Sequence, residues 1–170
     1  AVIDKLTPPT PDPEPTPGKP NADVEVKGDA PTIKNDADTV KEIESSVKLT
    51  DEEKEAVKAG ADIKFNIVVK DEVKAGDKEL IDTKISSLVN NGVVGKVFDI
   101  TIEKQVGNNA AVKAEFNSEI TLKVQVPEEL INKDDSKTRT YKIIRVHDGE
   151  VTVIDKENCV FDEETGLITF

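Results

Sequence analysis

The stretch from Thr138 to Asp155, TRTYKIIRVHDGEVTVID, leaves this chain the least conformational freedom. Two β-branched runs meet at Asp148-Gly149. That dipeptide between apolar runs specifies a two-residue hairpin loop, because a type I′ turn needs φ > 0 at both central positions. The loop sets the register: His147 opposite Glu150, Val146 opposite Val151, Ile144 opposite Val153, Lys142 opposite Asp155. Side chains alternate between faces. Ile144, Val146, Val151 and Val153 are therefore expected to be buried together, with Arg145, His147, Glu150 and Thr152 on the other face. A Lys142–Asp155 charge pair and a His147–Glu150 polar pair support this register.

Aromatic residues make up only 4% of the chain, with no Trp and one Tyr, so the core must be built from Val, Ile and Leu. Such a core favours strands. The 170 residues hold one domain and a tail, or two very small domains. A net charge of −12 argues against nucleic acid and against anionic membrane surfaces as partners. No run approaches the ~20 apolar residues of a membrane span. Cys159 is alone and allows no internal disulfide; its setting, Cys159-Val160-Phe161, predicts a buried, inert thiol. The chain contains no Met, which suggests an excerpt of a longer protein.

Residues 1–6, AVIDKL, are apolar and isolated. Residues 7–20 interleave seven prolines with Thr, Asp and Glu. That composition predicts an extended polyproline-II spacer, ~3.1 Å per residue, with few contacts to the domain. Without a basic anchor it makes a poor SH3-type ligand. Residues 21–170 are expected to be the domain proper.

Within it, Ala22–Lys27 reads as a first strand, with Pro31–Lys34 extending or pairing with it. A helical stripe of Val40, Ile43 and Val47 comes after Asp36. Thr50 and Glu53 form a capping box for a second helix, which ends at Gly60. Ile63–Lys70 alternates as a strand, Asp77–Val89 is helical, and Phe98–Glu103 alternates again. Gly107-Asn108-Asn109 is a turn. Ile120, Leu122, Val124 and Val126 alternate up to Pro127, and Glu164-Thr165-Gly166 turns a last hairpin. This pattern predicts a mainly-β antiparallel sandwich with two or three short peripheral helices, an α+β arrangement being the alternative.

No catalytic, cofactor-binding or metal-ligating set emerges. His147 sits beside a tight turn with no nucleophile near it in sequence, and one His and one Cys are too few for zinc. Asp36-Ala37-Asp38 opens like an EF-hand loop, but Val40 and Lys41 stand where an oxygen ligand and Gly are needed. Asp134-Asp135 and Asp162-Glu163-Glu164 read as solvated loop acids. With only Tyr141 available, sugar stacking is poorly supported.

Arg139–Gly149, RTYKIIRVHDG, with Asp162-Glu163-Glu164-Thr165-Gly166 and Thr169-Phe170, resembles a repeat of wall-associated and secreted proteins of Gram-positive, Clostridia-type bacteria. Leu49–Asp71, Phe98–Gly107 and Ile120–Leu130 match more softly, so the resemblance covers about residues 30–170. It implies an Ig-like β-sandwich in an extracellular, multidomain surface protein. No catalytic residues come with it. The implied role is a non-catalytic structural module whose partners are its neighbouring domains. The alternative is an adhesin-like module binding a glycan or host protein. The family usually continues past Thr-Phe with another strand, which residues 1–6 resemble. That suggests a tandem array in which residues 1–6 are the remnant of a preceding module, 7–20 the linker and 21–170 the next repeat cut short at its C-terminus, with residues 1–6 pairing as a strand with the sheet of their own molecule or a neighbour's.

Overall fold

The computed structural model describes residues 16–88, 94–134, 136–155 and 157–170. The expectations for residues 1–6 and for the proline run up to residue 15 lie outside the described residues.

Alternation and capping place the elements. β1 (Pro20–Lys27) leads into α1 (Ala37–Ser46) and α2 (Asp51–Lys58). Asp36 caps α1 by accepting from the Thr39 N–H, and the Thr50–Glu53 capping box closes on α2. β2 (Ile63–Lys70), α3 (Ala75–Leu88) and β3 (Asp99–Val106) are next. Then come β4 (Val112–Lys113), β5 (Lys123–Gln125), a 3-10 turn at Glu128–Leu130, β6 (Ile143–His147), β7 (Glu150–Ile154), β8 (Val160–Asp162) and β9 (Leu167–Thr169).

Among the described residues these strands form three sheets: β1-β2-β3-β4, β5-β9-β8, and the hairpin β6-β7. The fold is therefore β-rich with three helices and mixed as well as antiparallel pairing. The expected antiparallel sandwich is qualified at one pair: β1 and β2 run parallel in register from Pro20–Ile63 to Lys27–Lys70. The cause is the connection, because α1 and α2 lie between the two strands and return the chain to the same end of the sheet.

One face of the first sheet carries Ala22, Ile63, Phe65, Ile67, Val69, Ile102 and Val106 into the main core. Ile43 of α1, Ile33, Leu122 and Val124 of β5 close it from the other side. Ile33 corrects a second expectation. The Pro31–Lys34 segment pairs with β5, not β1: the Lys34 N–H donates to the Lys123 carbonyl at 2.8 Å and the Gln125 N–H to the Thr32 carbonyl at 2.9 Å. Burying Ile33, 3% exposed, is what draws the segment there.

A second, smaller core holds Val126, Cys159 and Ile168, with Tyr141, Ile143 and Phe161 packed on it. Phe170 touches both cores, and its backbone exchanges two hydrogen bonds with Leu122 at 2.8 and 3.0 Å. The Ile120–Val126 run thus contributes only a short regular strand, continued at each end by backbone bonds to Phe170 and Gly166.

The spacer expectation meets the structure at residues 16–19. Thr16–Lys19 is docked, with the Gly18 N–H donating to the Val57 carbonyl at 3.1 Å and the Lys19 N–H to Asp62 at 2.9 Å. Gly18 lies so close to Ala61 that an added Cβ would stand 1.8 Å from its carbonyl oxygen. Only glycine permits that approach.

Candidate functional site

Of the residues singled out by sequence, His147, Asp148 and Gly149 sit on the β6–β7 hairpin, Cys159 in the smaller core, and Asp36 at the start of α1. Asp148 and Gly149 have φ of 51° and 79°, the two left-handed residues of a type I′ loop. The ladder runs from Ile143–Ile154 to His147–Glu150 in the expected register. Two details differ. Ile144, Val146, Val151 and Val153 are half-buried, because the hairpin joins neither larger sheet and has α3 as its neighbour. The ladder also ends one pair short of Lys142–Asp155. The Asp155 carbonyl turns instead to accept from the Asn158 and Cys159 N–H groups.

The His147 imidazole is exposed and lies 3.6 Å from the Asp148 carboxylate, so its nearest acid is in the loop and not the expected Glu150 across the strand. Cys159 is buried, and desolvation pushes its thiol up. The two side chains the chemistry of a thiol–imidazole pair would need are thus in different surroundings, one in water and one in the core.

Asp36, Asp134 and Asp162 are occupied by the chain itself, and Asp135 lies outside the described residues. Asp162 accepts from the N–H groups of Thr165 and Glu164, with the Thr165 bond the stronger cause of its lowered pKa. Asp134 is held low first by Lys137 and then by Ser136. Asp36 is held well below the ordinary carboxylate range, chiefly by the Thr39 N–H, and Lys123 and Lys34 stand beside it. The residue that opened the EF-hand-like string is therefore a helix cap. Among the described residues no group of three or more His, Cys, Asp or Glu is placed to hold a metal ion.

Tyr141 is half-buried, its ring centroid 4.5 Å from that of Phe161, and its hydroxyl donates to the Leu130 carbonyl at 3.0 Å. Arg139 donates to the same carbonyl. The two donors clamp the 3-10 turn to the start of β6.

One polar constellation escaped the sequence reading. Lys104 on β3 stands opposite Phe65, on the core face, with its side chain 7% exposed. Its ammonium donates to the Lys48 carbonyl at 2.8 Å and to the Glu53 carboxylate. Glu53 also accepts from the Thr50 N–H at 2.7 Å, so one carboxylate closes the capping box and neutralises the buried lysine. Burial pushes Glu53 up, but Lys104 and the Thr50 N–H outweigh it and hold the carboxyl below its ordinary value. The available signal was phase: Ile100, Ile102, Lys104 and Val106 alternate together, which puts a lysine at a core position.

No family model, curated protein or solved structure matches this chain. No helix among the described residues is long and apolar enough to cross a membrane.

Proposed function

We propose that residues 21–170 are a non-catalytic structural module of an extracellular, wall-associated surface protein, an Ig-like sandwich variant whose partners are its neighbouring domains. The observation that carries this reading is how the residues of the Arg139–Gly149 motif are used. Arg139 and Tyr141 converge on the Leu130 carbonyl, and Asp148 and Gly149 supply the left-handed loop. The motif by which the chain resembles a surface-protein repeat is spent on architecture. A tyrosine that anchors the start of a strand to upstream backbone also occurs at the corners of Ig-like sandwiches. The docked Thr16–Lys19 segment supports a module held firmly to its own linker.

The test is a binding screen of the full chain on glycan and host extracellular-matrix arrays, paired with localisation of the native protein by cell fractionation. The structural reading expects wall or culture-supernatant localisation and no saturable ligand. A glycan or matrix protein bound at micromolar affinity would replace it with the adhesin reading. A cytosolic location would remove the surface assignment.

A further inference from the structure

β1 is an eight-residue edge strand. In a parallel ladder the backbone groups of successive residues point alternately toward the neighbour and away from it. The Lys27 carbonyl accepts from Asp71 on the β2 side, at 3.3 Å. Asn21, Asp23, Glu25 and Lys27 therefore address β2, and Ala22, Val24 and Val26 address the open side. The Ala22 carbonyl takes the Asn35 side-chain amide, which confirms the phase and closes one end of the edge. The N–H groups of Ala22, Val24 and Val26, and the carbonyls of Val24 and Val26, have no partner among the described residues.

Two features set what fits there. A groove of about 440 Å³ runs beside the edge, between Pro20–Ala22 and the Asn35-Asp36 lead-in and Val40–Glu44 face of α1. The side chains then divide by face. Val24 packs on the main core and Val26 is 41% exposed, so the core face ends in an apolar step. Asp23 and Glu25 are exposed on the other face; Glu25 reaches Lys27 at 3.3 Å, and Asp23 has no cation within 4 Å among the described residues. Next to an antiparallel partner, Asp23 and Glu25 occupy non-hydrogen-bonded positions, where facing side chains approach most closely.

We propose that the free edge of β1 is a docking site for an extended peptide segment of another protein, added antiparallel as a fifth strand. Its apolar residues sit opposite Val24 and Val26, and its Lys or Arg residues sit opposite Asp23 and Glu25. Backbone bonds supply the attachment and the charge pattern supplies selectivity. Self-pairing centred on Val24 sets Asp23 against Glu25, and self-pairing centred on Glu25 sets that residue against itself. The first register faces like charges twice; the second faces Glu25 with itself but Asp23 with Lys27, so only a basic segment from another protein offers a counter-charge to Asp23 and Glu25 together.

The experiment titrates the full chain with the synthetic peptide Thr-Val-Lys-Val-Lys-Val-Thr and with its Glu-for-Lys counterpart, following backbone amide exchange by NMR. The expected result is slowed exchange at Val24 and Val26, with the Lys peptide favoured roughly tenfold, since two facing charge pairs change sign. Asp23→Lys with Glu25→Lys, both exposed and remote from the core, should reverse the preference. Unchanged exchange at these two amides, or a preference the double variant does not move, overturns the proposal. So does slow exchange at those amides in the free chain. If the free chain is then a monomer by ultracentrifugation, a segment of the chain itself holds the edge. If it is a dimer, a second copy does.

Discussion

Lys104 and Glu53 meet at the rim of the main core, on two elements 51 residues apart in sequence. The lysine belongs to a strand face that otherwise holds Ile102 and Val106, and the glutamate to the first turn of α2. Glu53 has two duties: it caps the helix through the Thr50 N–H and balances the buried ammonium. One carboxylate serves both at once.

This coupling predicts unequal effects from the two halves of the pair. Glu53→Gln can still close the capping box, but it leaves Lys104 buried without a counter-charge, which should cost about 3–5 kcal/mol. Lys104→Met also strips Glu53 of its counter-charge, but Glu53 keeps the Thr50 N–H and some exposure, so this variant should cost less than Glu53→Gln. The double variant should regain most of what Glu53→Gln loses. Urea denaturation of all four proteins checks the cycle; equal losses from the two single variants would show that the pair is not organised this way.

Acid should destabilise the fold through the same group. The folded Glu53 carboxyl lies below its ordinary value of 4.5, so the unfolded chain binds more protons as pH falls. Its contribution is fully present above pH 4.5 and is lost as pH drops through the folded value. Asp36, ordinarily 3.8, adds a loss of the same sign at lower pH. Thermal melts should therefore show a plateau from about pH 7 to 5 and a fall below the ordinary glutamate value. In Glu53→Gln the upper part of that fall should be flattened.

The hairpin loop separates backbone strain from crowding. Nothing lies within 4 Å of a Cβ built on Gly149, and its φ is 79°. Gly149→Val should thus cost upwards of ~1–2 kcal/mol from the left-handed conformation alone. Gly149→Asn, which tolerates that region, should cost less than ~1 kcal/mol. Equal melting temperatures for the two variants would contradict the type I′ loop.

The Leu130 carbonyl, with two donors, predicts non-additivity. Tyr141→Phe or Arg139→Ala alone leaves one donor in place and should cost about 0.5–1.5 kcal/mol. Together they strand a carbonyl beside the smaller core, so the double loss should exceed the sum of the single ones. A strictly additive result would mean that the two side chains do not share the acceptor.

Much of this fold is visible in short stretches because the forces involved are short. The Asp148-Gly149 loop, the Thr50–Glu53 capping box, the Gly60 helix stop and the Asp162–Gly166 turn each need only a few residues with the right dihedral freedom and hydrogen-bonding atoms. Strand alternation adds the core faces of β2 and β3 in the same local way. Beyond the two hairpins, which strand lies beside which was not visible there, and Pro31–Lys34, expected at β1, pairs with β5. The parallel β1–β2 pair, the turn of Ile33 to Val124, the closure of Leu122 on Phe170 and the neutralising of Lys104 by Glu53 all join residues far apart in the chain. Backbone edges are chemically alike, so local chemistry cannot choose among them. The choice falls to the arrangement that buries the most apolar surface while leaving no buried side-chain polar atom unpaired among the described residues, and that condition exists only once the whole chain is folded.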